Sequence, residues 1–178
     1  NPQPRYPFPF IQADVMTLDL EFIRSFDAVH ASPPCQKHSR VSGRSIKAGR
    51  REYPCFISPV RDMLALSGLP YIIENVEGSP LRNPFMLCGS MFGLDVRRHR
   101  LFESNIVILS LECRHDLQTP RFRTLDSRRR GRLASVIGVH GHLNYPGEFE
   151  LRCKAMGIDW MNNQQLTQAI PPAYTEFI

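Results

Sequence analysis

A strand, helix, strand pattern between residues 26 and 76 constrains the fold more than any other feature of this 178-residue chain. The first strand-like run, Phe26–Ala31, stops at Pro33-Pro34 because proline cannot donate to a sheet ladder. Apolar residues then recur at helical spacing over 56–66, and Pro70–Val76 is a continuous apolar run typical of a strand covered on both faces. This order predicts two parallel strands joined by a crossover helix. We therefore expect an α/β fold with an open, mostly parallel sheet of Rossmann type over residues 10–110.

Weaker patterns predict further elements on either side of this segment. Gly68 is the expected end of the central helix, and no internal repeat is evident. The remaining predictions are strands over 10–15, 85–94, 98–103, 105–111 and 134–139, a helix over 18–25, and two C-terminal helices separated by Gly157-Ile158-Asp159, the second starting near Pro171-Pro172.

The charge and the cysteines bound the function classes. The formal net charge is +5, and much of the basic excess lies in 37–51 and 121–132. Such clustering favours a polyanionic partner such as nucleic acid, although a solvated basic face would look the same. The five cysteines lack the close pairing of a secreted disulfide framework, and no apolar run approaches the roughly 18 residues that a membrane span needs. A monomer in the cytoplasm, with no membrane partner, is expected.

Two unusual local sequences lie at the predicted carboxyl ends of neighbouring strands, where open parallel sheets bind their ligands. Cys35 follows two prolines, which would hold it on a stiff backbone, at a loop or helix start whose amide groups favour a thiolate. Glu74 ends the second strand. A nucleophile and a carboxyl group could thus face one pocket. Taken singly, Cys35 could be a small buried apolar residue, and Glu74 could cap a helix or pair with an arginine.

Together these motifs resemble the DNA cytosine-C5 methyltransferase family. Its Pro-Cys-Gln and Glu-Asn-Val signatures are matched by Pro34-Cys35-Gln36 and Glu74-Asn75-Val76. Its Arg-x-Arg segment is matched by Arg98-His99-Arg100, with Val96 where glutamine is usual. Gln168-Ala169-Ile170-Pro171-Pro172 is similar to its closing Asn-Ala-Val-Pro-Pro segment. The motifs occur in the family's order and spread from Cys35 to Pro172.

The resemblance implies a catalytic mechanism. Cys35 would add to C6 of a cytosine flipped out of double-stranded DNA, and Glu74 would stabilise the adduct at N3. Arg98 would hold the flipped base or the surroundings of the cysteine, and Arg100 would brace the site. The basic loop after Cys35 would grip DNA phosphates, although a merely solvated loop is the alternative; its cations are Lys37, Arg40, Arg44, Lys47, Arg50 and Arg51.

The resemblance also implies S-adenosylmethionine as the methyl donor. Asp14 would bind its adenine, Pro34 would pack on that adenine, and Gln168 with Ala169 would lie near its methionine end. The implied division is a catalytic core over 1–102, a short target-recognition region over 103–150 and a closing segment over 151–178. Arg128–Arg132 in the middle region would contact phosphates. Such an enzyme would mark a bacterium's own DNA beside a nuclease or protect phage DNA, in the cytoplasm near the nucleoid.

Two features of the family do not occur in this sequence: its glycine-rich opening segment and the acidic residue for the cofactor ribose. We expect residues upstream of Asn1 to supply them. Alternatively, a second chain would complete the enzyme, or the protein would have lost the ability to bind the cofactor.

Three other functions stay open. They are an RNA cytosine-C5 methyltransferase, an inactive DNA-binding module, and a transferase that takes a one-carbon unit from folate. No metal site is predicted, because Cys88, Cys113, His115 and Cys153 do not form the paired knuckles of a zinc site.

Overall fold

The computed structural model divides the chain into two compact units. It describes Tyr6 and residues 8–38, 53–120, 122–123, 133–143 and 145–178. The first unit comprises the described parts of Ile11–Met86 and Arg100–Ser110, and the second comprises those of Pro2–Phe10, Leu87–His99 and Leu111–Ile178. In chain order the elements are α1 (Leu20–Arg24), β1 (Val29–Ala31), α2 (Ile57–Ser67), β2 (Tyr71–Asn75), β3 (Phe85–Leu87), β4 (Arg100–Ser104), β5 (Phe122–Arg123), β6 (Leu133–Ala134), α3 (Glu148–Met156), α4 (Asn163–Leu166) and α5 (Pro172–Phe177).

A four-stranded mixed sheet forms the framework of the first unit, in the order β1-β2-β4-β3. β1 and β2 are parallel, with Val29 opposite Tyr71, and α2 lies between them in the chain. The predicted strand, helix, strand unit and the α/β class are therefore confirmed. β4 runs antiparallel to β2, so the expectation of a mostly parallel sheet is wrong for these strands. The chain between β2 and β4 contains β3 and a four-residue 3-10 helix instead of a crossover helix, and a parallel return needs such a crossover.

The core of the first unit forms where α2 packs on the sheet. Val60 and Leu64, one helical turn apart, pack against Ile73, and all three are buried. Gly68 ends α2 in the left-handed conformation at φ 76°, as predicted, because a residue with a Cβ atom is strained there.

The second unit has its own apolar core. It collects residues from the chain after β3, from the region after β6 and from α3 and α4: Val96, Ile137, Val139, Ala155, Met156, Ile158 and Leu166. Arg152 of α3 is 1% exposed and is bound by Glu148 and by the carbonyl groups of residues 140–142. These bonds tie the loop before α3 to the helix.

Several predicted strands are shorter than expected or do not form. Residues 10–15 form no strand; Asp14 instead caps a 3-10 helix over Val15–Thr17. Residues 105–111 also form no strand, and Val107 is 94% exposed, so apolar character here does not reflect burial. Of the predicted strands over 85–94 and 134–139, only β3 and the end of β6 remain.

The C-terminal helices follow the predicted stops. α3 ends at Gly157 and α5 begins at Pro172, in the first turn where proline is tolerated. The sequence pattern did not predict α4, which Asn162 starts with a capping box. None of the helices in the described ranges has the length and apolar character required for a bilayer crossing.

Candidate active site

The parallel pairing of β1 and β2 brings their carboxyl ends to the same edge of the sheet. Ala31 lies opposite Ile73, so the chain that leaves β1 emerges beside the end of β2. The side-chain amide of Asn75 donates a hydrogen bond of 2.9 Å from Nδ2 to the carbonyl oxygen of Pro33, and Asn75 is 1% exposed. This buried bond ties the segment before Cys35 directly to the strand that carries Glu74.

The segment around Cys35 presents the thiol on a fixed backbone. Pro33 is buried, Pro34 is exposed and Cys35 is partly exposed. The amide of His38 donates to the carbonyl of Cys35 at 2.9 Å, which closes a turn directly after the cysteine. Cys35 is therefore partly exposed, and hydrogen bonds constrain the backbone both before and directly after it.

Glu74 forms an ion pair with Arg100 at the same part of the sheet. Arg100 Nε lies 2.9 Å from Glu74 Oε1, and the side chains are 18% and 11% exposed. The register explains the contact: Glu74 is opposite Phe102 in the antiparallel pair, so Arg100, two residues earlier, is its diagonal neighbour on one face. The pairing with an arginine that the sequence left open is present, and it fixes the orientation of the carboxyl group at the site.

The predicted basic loop after Cys35 lies mostly outside the described residues, which resume at Tyr53. Lys37 is described, and its neighbour His38 places Nε2 3.3 Å from Cys55 Sγ. Burial lowers the pKa of His38, and the charge of Lys37 lowers it further. The contact between His38 and Cys55 holds the two ends of the loop together. Arg40, Arg44, Lys47, Arg50 and Arg51, and in the middle region Arg128–Arg132, lie outside the described residues.

Arg98 belongs to the second unit, and its guanidinium group binds backbone carbonyls in the closing motif, directly before it and in the region after β6. It donates to the carbonyl oxygens of Ala169 at 2.5 Å, Thr167 at 2.7 Å and Val139 at 3.1 Å. Arg98 itself has a left-handed backbone with φ 41°. These contacts make it a positioning residue within its unit. Val96, at the position where the family usually has glutamine, is buried in the apolar core.

The predicted cofactor residues are distributed over both units. In the first unit, Asp14 is exposed and its Oδ1 accepts a hydrogen bond of 3.0 Å from the amide of Met16, while Pro34 offers exposed apolar surface. In the second unit, Gln168 is exposed, and Ala169 is partly buried with its carbonyl held by Arg98. The adenine contacts that the resemblance implies for Pro34 and Asp14 stay predictions.

A group of potential metal ligands in the second unit was not foreseen. Cys88, His99, Cys113 and His115 place one ligand atom each within 4.8 Å of all the others. Ligand spacing along the sequence does not exclude this cluster, because its four residues come from three separate segments of the chain that the fold brings together. His99 is the member that the sequence did not indicate. Burial raises the pKa of the Cys113 thiol, as does the neighbouring Cys88, and burial lowers the pKa of His115. Three of the four residues, Cys88, Cys113 and His115, were weighed as ligands from the sequence, and His99 was not.

Comparison of the chain with protein-family models and with curated proteins found no match in either case.

Proposed function

We propose that this chain is the catalytic part of a DNA cytosine-C5 methyltransferase, with Cys35 as the nucleophile and Glu74 as the group that activates the base. The observation that carries the proposal is the buried hydrogen bond from Asn75 to Pro33, at 2.9 Å. It spans 42 positions of the chain and joins the residue directly before Pro34-Cys35-Gln36 to Glu74-Asn75-Val76, so the backbone of both motifs lies at one sheet edge.

The chemistry of the two side chains suits this reaction. Cytosine C5 is a poor nucleophile until a thiolate adds to C6. The addition converts the C5–C6 double bond into a C4–C5 double bond, and the electron pair of the former C4–N3 double bond goes to N3, where a proton from the carboxyl group stabilises the adduct. S-adenosylmethionine, when bound, would supply the methyl group as an electrophile, and its sulfur would keep the electron pair of the broken S–CH3 bond when C5 attacks. Loss of the C5 proton to a base and departure of the Cys35 thiolate then restore the C5–C6 double bond, and Glu74 takes back the proton from N3. The partly exposed Cys35 and the largely buried carboxyl group of Glu74, whose side chain is 11% exposed, are consistent with these two roles.

The arginines support the site in different ways in this proposal. Arg100 is a positioning residue, since its ion pair with Glu74 orients the carboxyl group toward the base. Arg98 would position the closing motif through the carbonyl oxygens of Ala169, of its neighbour Thr167 and of Val139, and its role at the flipped base, which the resemblance implies, stays a prediction. The Rossmann-like methyltransferase fold belongs to the same proposal, and the parallel β1–β2 pair with α2 supports it.

The substrate is proposed to be double-stranded DNA, because the target carbon is reached only in a flipped base and the chain has a net charge of +5. A folded RNA has the same phosphate charge and the same target carbon, so both substrates enter the test.

The test traps the covalent intermediate. The intact protein is incubated with S-adenosylmethionine and with duplex DNA in which 5-fluorocytosine replaces cytosine, because fluorine at C5 cannot leave as a proton would. A methylated protein–DNA adduct resistant to denaturation is expected for the wild type and should be absent for Cys35→Ala. Cys153→Ala is the matched control, since Cys153 is also a partly exposed cysteine, and Cys55→Ala tests the other partly exposed cysteine of the first unit as a nucleophile.

Each alternative predicts a different result. An adduct on 5-fluorocytosine RNA but not on DNA would assign the RNA reaction. Cofactor binding without an adduct on either substrate would favour an inactive binding module. An adduct that persists in Cys35→Ala and disappears in Cys55→Ala would overturn the assignment of the nucleophile.

A further inference from the structure

Four side chains of the second unit converge on one point. Cys88 Sγ lies 3.2 Å from His115 Nε2, His99 Nε2 lies 3.2 Å from His115 Nε2, and Cys113 Sγ lies 3.7 Å from His99 Nε2. The remaining pairs of ligand atoms are at most 4.8 Å apart. Two sulfurs and two imidazole nitrogens therefore surround a single small volume.

These separations match the ligand shell of a tetrahedral zinc ion. With Zn–N near 2.05 Å and Zn–S near 2.3 Å, a regular tetrahedron separates its ligand atoms by about 3.3 Å for two nitrogens to about 3.8 Å for two sulfurs. Three of the six observed separations, at 3.2–3.7 Å, lie close to this range, and the other three are at most 4.8 Å. An ion at the centre would need only small adjustments of the side chains.

The backbone around Cys88 and His99 is built to hold this arrangement. Cys88 is fully buried and precedes a 3-10 helix over Gly89–Phe92. The amide of Gly89 donates to the carbonyl of Arg97 at 2.6 Å, which closes the loop between the two ligands. A Cβ atom on Gly89 would overlap the carbonyl oxygen of Val96, so only glycine allows this close approach.

The segment with the other two ligands is fastened to that loop. The amide of Arg114, between Cys113 and His115, donates to Ser90 Oγ at 3.0 Å. The Gln118 side chain donates to the carbonyl of Leu94, also at 3.0 Å. The ligands are thus held from both sides by bonds that do not involve the ligand atoms. The His99 and His115 rings stack with centroids 5.2 Å apart, which directs both Nε2 atoms to the same point.

We propose that Cys88, His99, Cys113 and His115 bind a structural zinc ion. Two thiolates and two imidazoles are the ligands that zinc prefers, and two thiolates balance its charge. Four protein ligands leave no open position for substrate, which distinguishes a structural site from a catalytic one. The ion fixes the chain after β4 to the loop that follows β3. This site is independent of the proposed methyl transfer and would be present whichever substrate the protein acts on.

Zinc content of the intact protein tests the proposal. Reduced protein is incubated with Zn²⁺ and desalted, and the metal is then measured. We expect one zinc per chain in the wild type and almost none in Cys113→Ser or His115→Ala. Cys153→Ser is the matched control, since Cys153 is a partly exposed cysteine of the same unit outside the cluster, and it should keep one zinc per chain.

A second test uses cobalt binding by the wild type alone, so its result does not depend on whether the variants fold. Wild-type protein loaded with Co²⁺ should show the intense visible bands of a tetrahedral site and the near-ultraviolet charge transfer of thiolate ligands. A wild type that retains neither zinc nor cobalt would overturn the proposal and leave a hydrogen-bonded thiol–imidazole cluster. Full zinc content in a folded Cys113→Ser variant, or an octahedral cobalt spectrum, would also overturn it.

Discussion

Replacing Glu103 by glutamine removes the negative charge from a buried ion pair that supports the candidate active site. Glu103 lies on β4, and its side chain is 3% exposed; that of its partner Arg61, on α2, is 6% exposed. Arg61 donates Nε to Oε1 at 2.5 Å and Nη2 to Oε2 at 2.7 Å, a two-pronged pairing. The amide of Arg82 also donates to Oε2 at 2.7 Å. The change keeps the shape of the side chain and leaves Arg61 buried without a counter-charge.

The size of the expected loss in stability follows from the burial of the ion pair. Removing one partner of a buried ion pair costs about 3–5 kcal/mol, because the remaining charge is desolvated without compensation. Glutamine can still accept hydrogen bonds, so the lower end, about 3 kcal/mol, is expected. This is a large part of the roughly 5–15 kcal/mol that stabilises an ordinary domain. Glu21→Gln is the matched control: its side chain is 76% exposed in its pair with Arg24, so the change should cost less than about 1 kcal/mol.

Urea unfolding followed by far-ultraviolet circular dichroism measures both variants, and hydrogen exchange of β2 and β4 amides locates the loss in the first unit. A double variant, Arg61→Met with Glu103→Leu, should recover part of the stability because neither change then strands a charge. If Glu103→Gln unfolds like Glu21→Gln, the ion pair does not stabilise the sheet and the reasoning is refuted.

The pH dependence provides an internal check. Burial alone would raise the pKa of Glu103, but the hydrogen bonds from Arg61 and Arg82 bring it below the ordinary value of 4.5. A lowered pKa in the folded state means that the stability from this carboxylate is fully present above that ordinary value and is lost as the pH falls through the folded-state pKa. The difference in unfolding free energy between wild type and Glu103→Gln should therefore narrow below about pH 4.5. A difference that widens on acidification would contradict the assigned shift.

Three further predictions concern the backbone and the second unit. Arg152→Met should lower the free energy of unfolding of the second unit by about 3–5 kcal/mol, because it leaves buried hydrogen-bond acceptors without a donor. The fluorescence of Trp160, the single tryptophan, follows this unfolding in urea. An unchanged unfolding midpoint would contradict the prediction. Gly68→Ala should lower the free energy of unfolding by about 1 kcal/mol. The loss comes from the positive φ alone, since a Cβ at this position meets nothing within 4 Å. A variant with a higher thermal unfolding temperature would refute the strain argument. Asn75→Leu should leave the Pro33 carbonyl unpaired and lower the free energy of unfolding by about 1–3 kcal/mol. The rate of adduct formation on 5-fluorocytosine DNA should fall by a larger factor than the affinity for DNA. Equal factors for the rate and the affinity would argue against a positioning role.

The sequence predicted the elements whose signals are local. The apolar period of α2, its stop at Gly68 and the apolar run of β2 each involve residues within one or two turns of each other, and all three are confirmed. The same is true of α5, which begins at Pro172. The placement of Cys35 and Glu74 at neighbouring strand ends followed from these elements, because parallel strands place their carboxyl ends on one edge.

Strand predictions outside this segment were weaker for a physical reason. A run such as 105–111 is apolar but becomes a strand only if another strand is available to bond with it, and that depends on residues elsewhere in the chain. The direction of β4 was likewise wrong, since side-chain alternation is the same in parallel and antiparallel strands.

The sequence by itself determined the α/β class, the parallel β1–β2 unit and the two motifs that meet at its edge. Only the tertiary structure decided that Arg98 binds backbone carbonyls, that Arg100 pairs with Glu74, and that two cysteines and two histidines converge. These contacts join residues 14 to 71 positions apart. Local sequence propensity cannot predict contacts between residues so far apart in the chain, because these contacts form only after the chain between them has folded and packed.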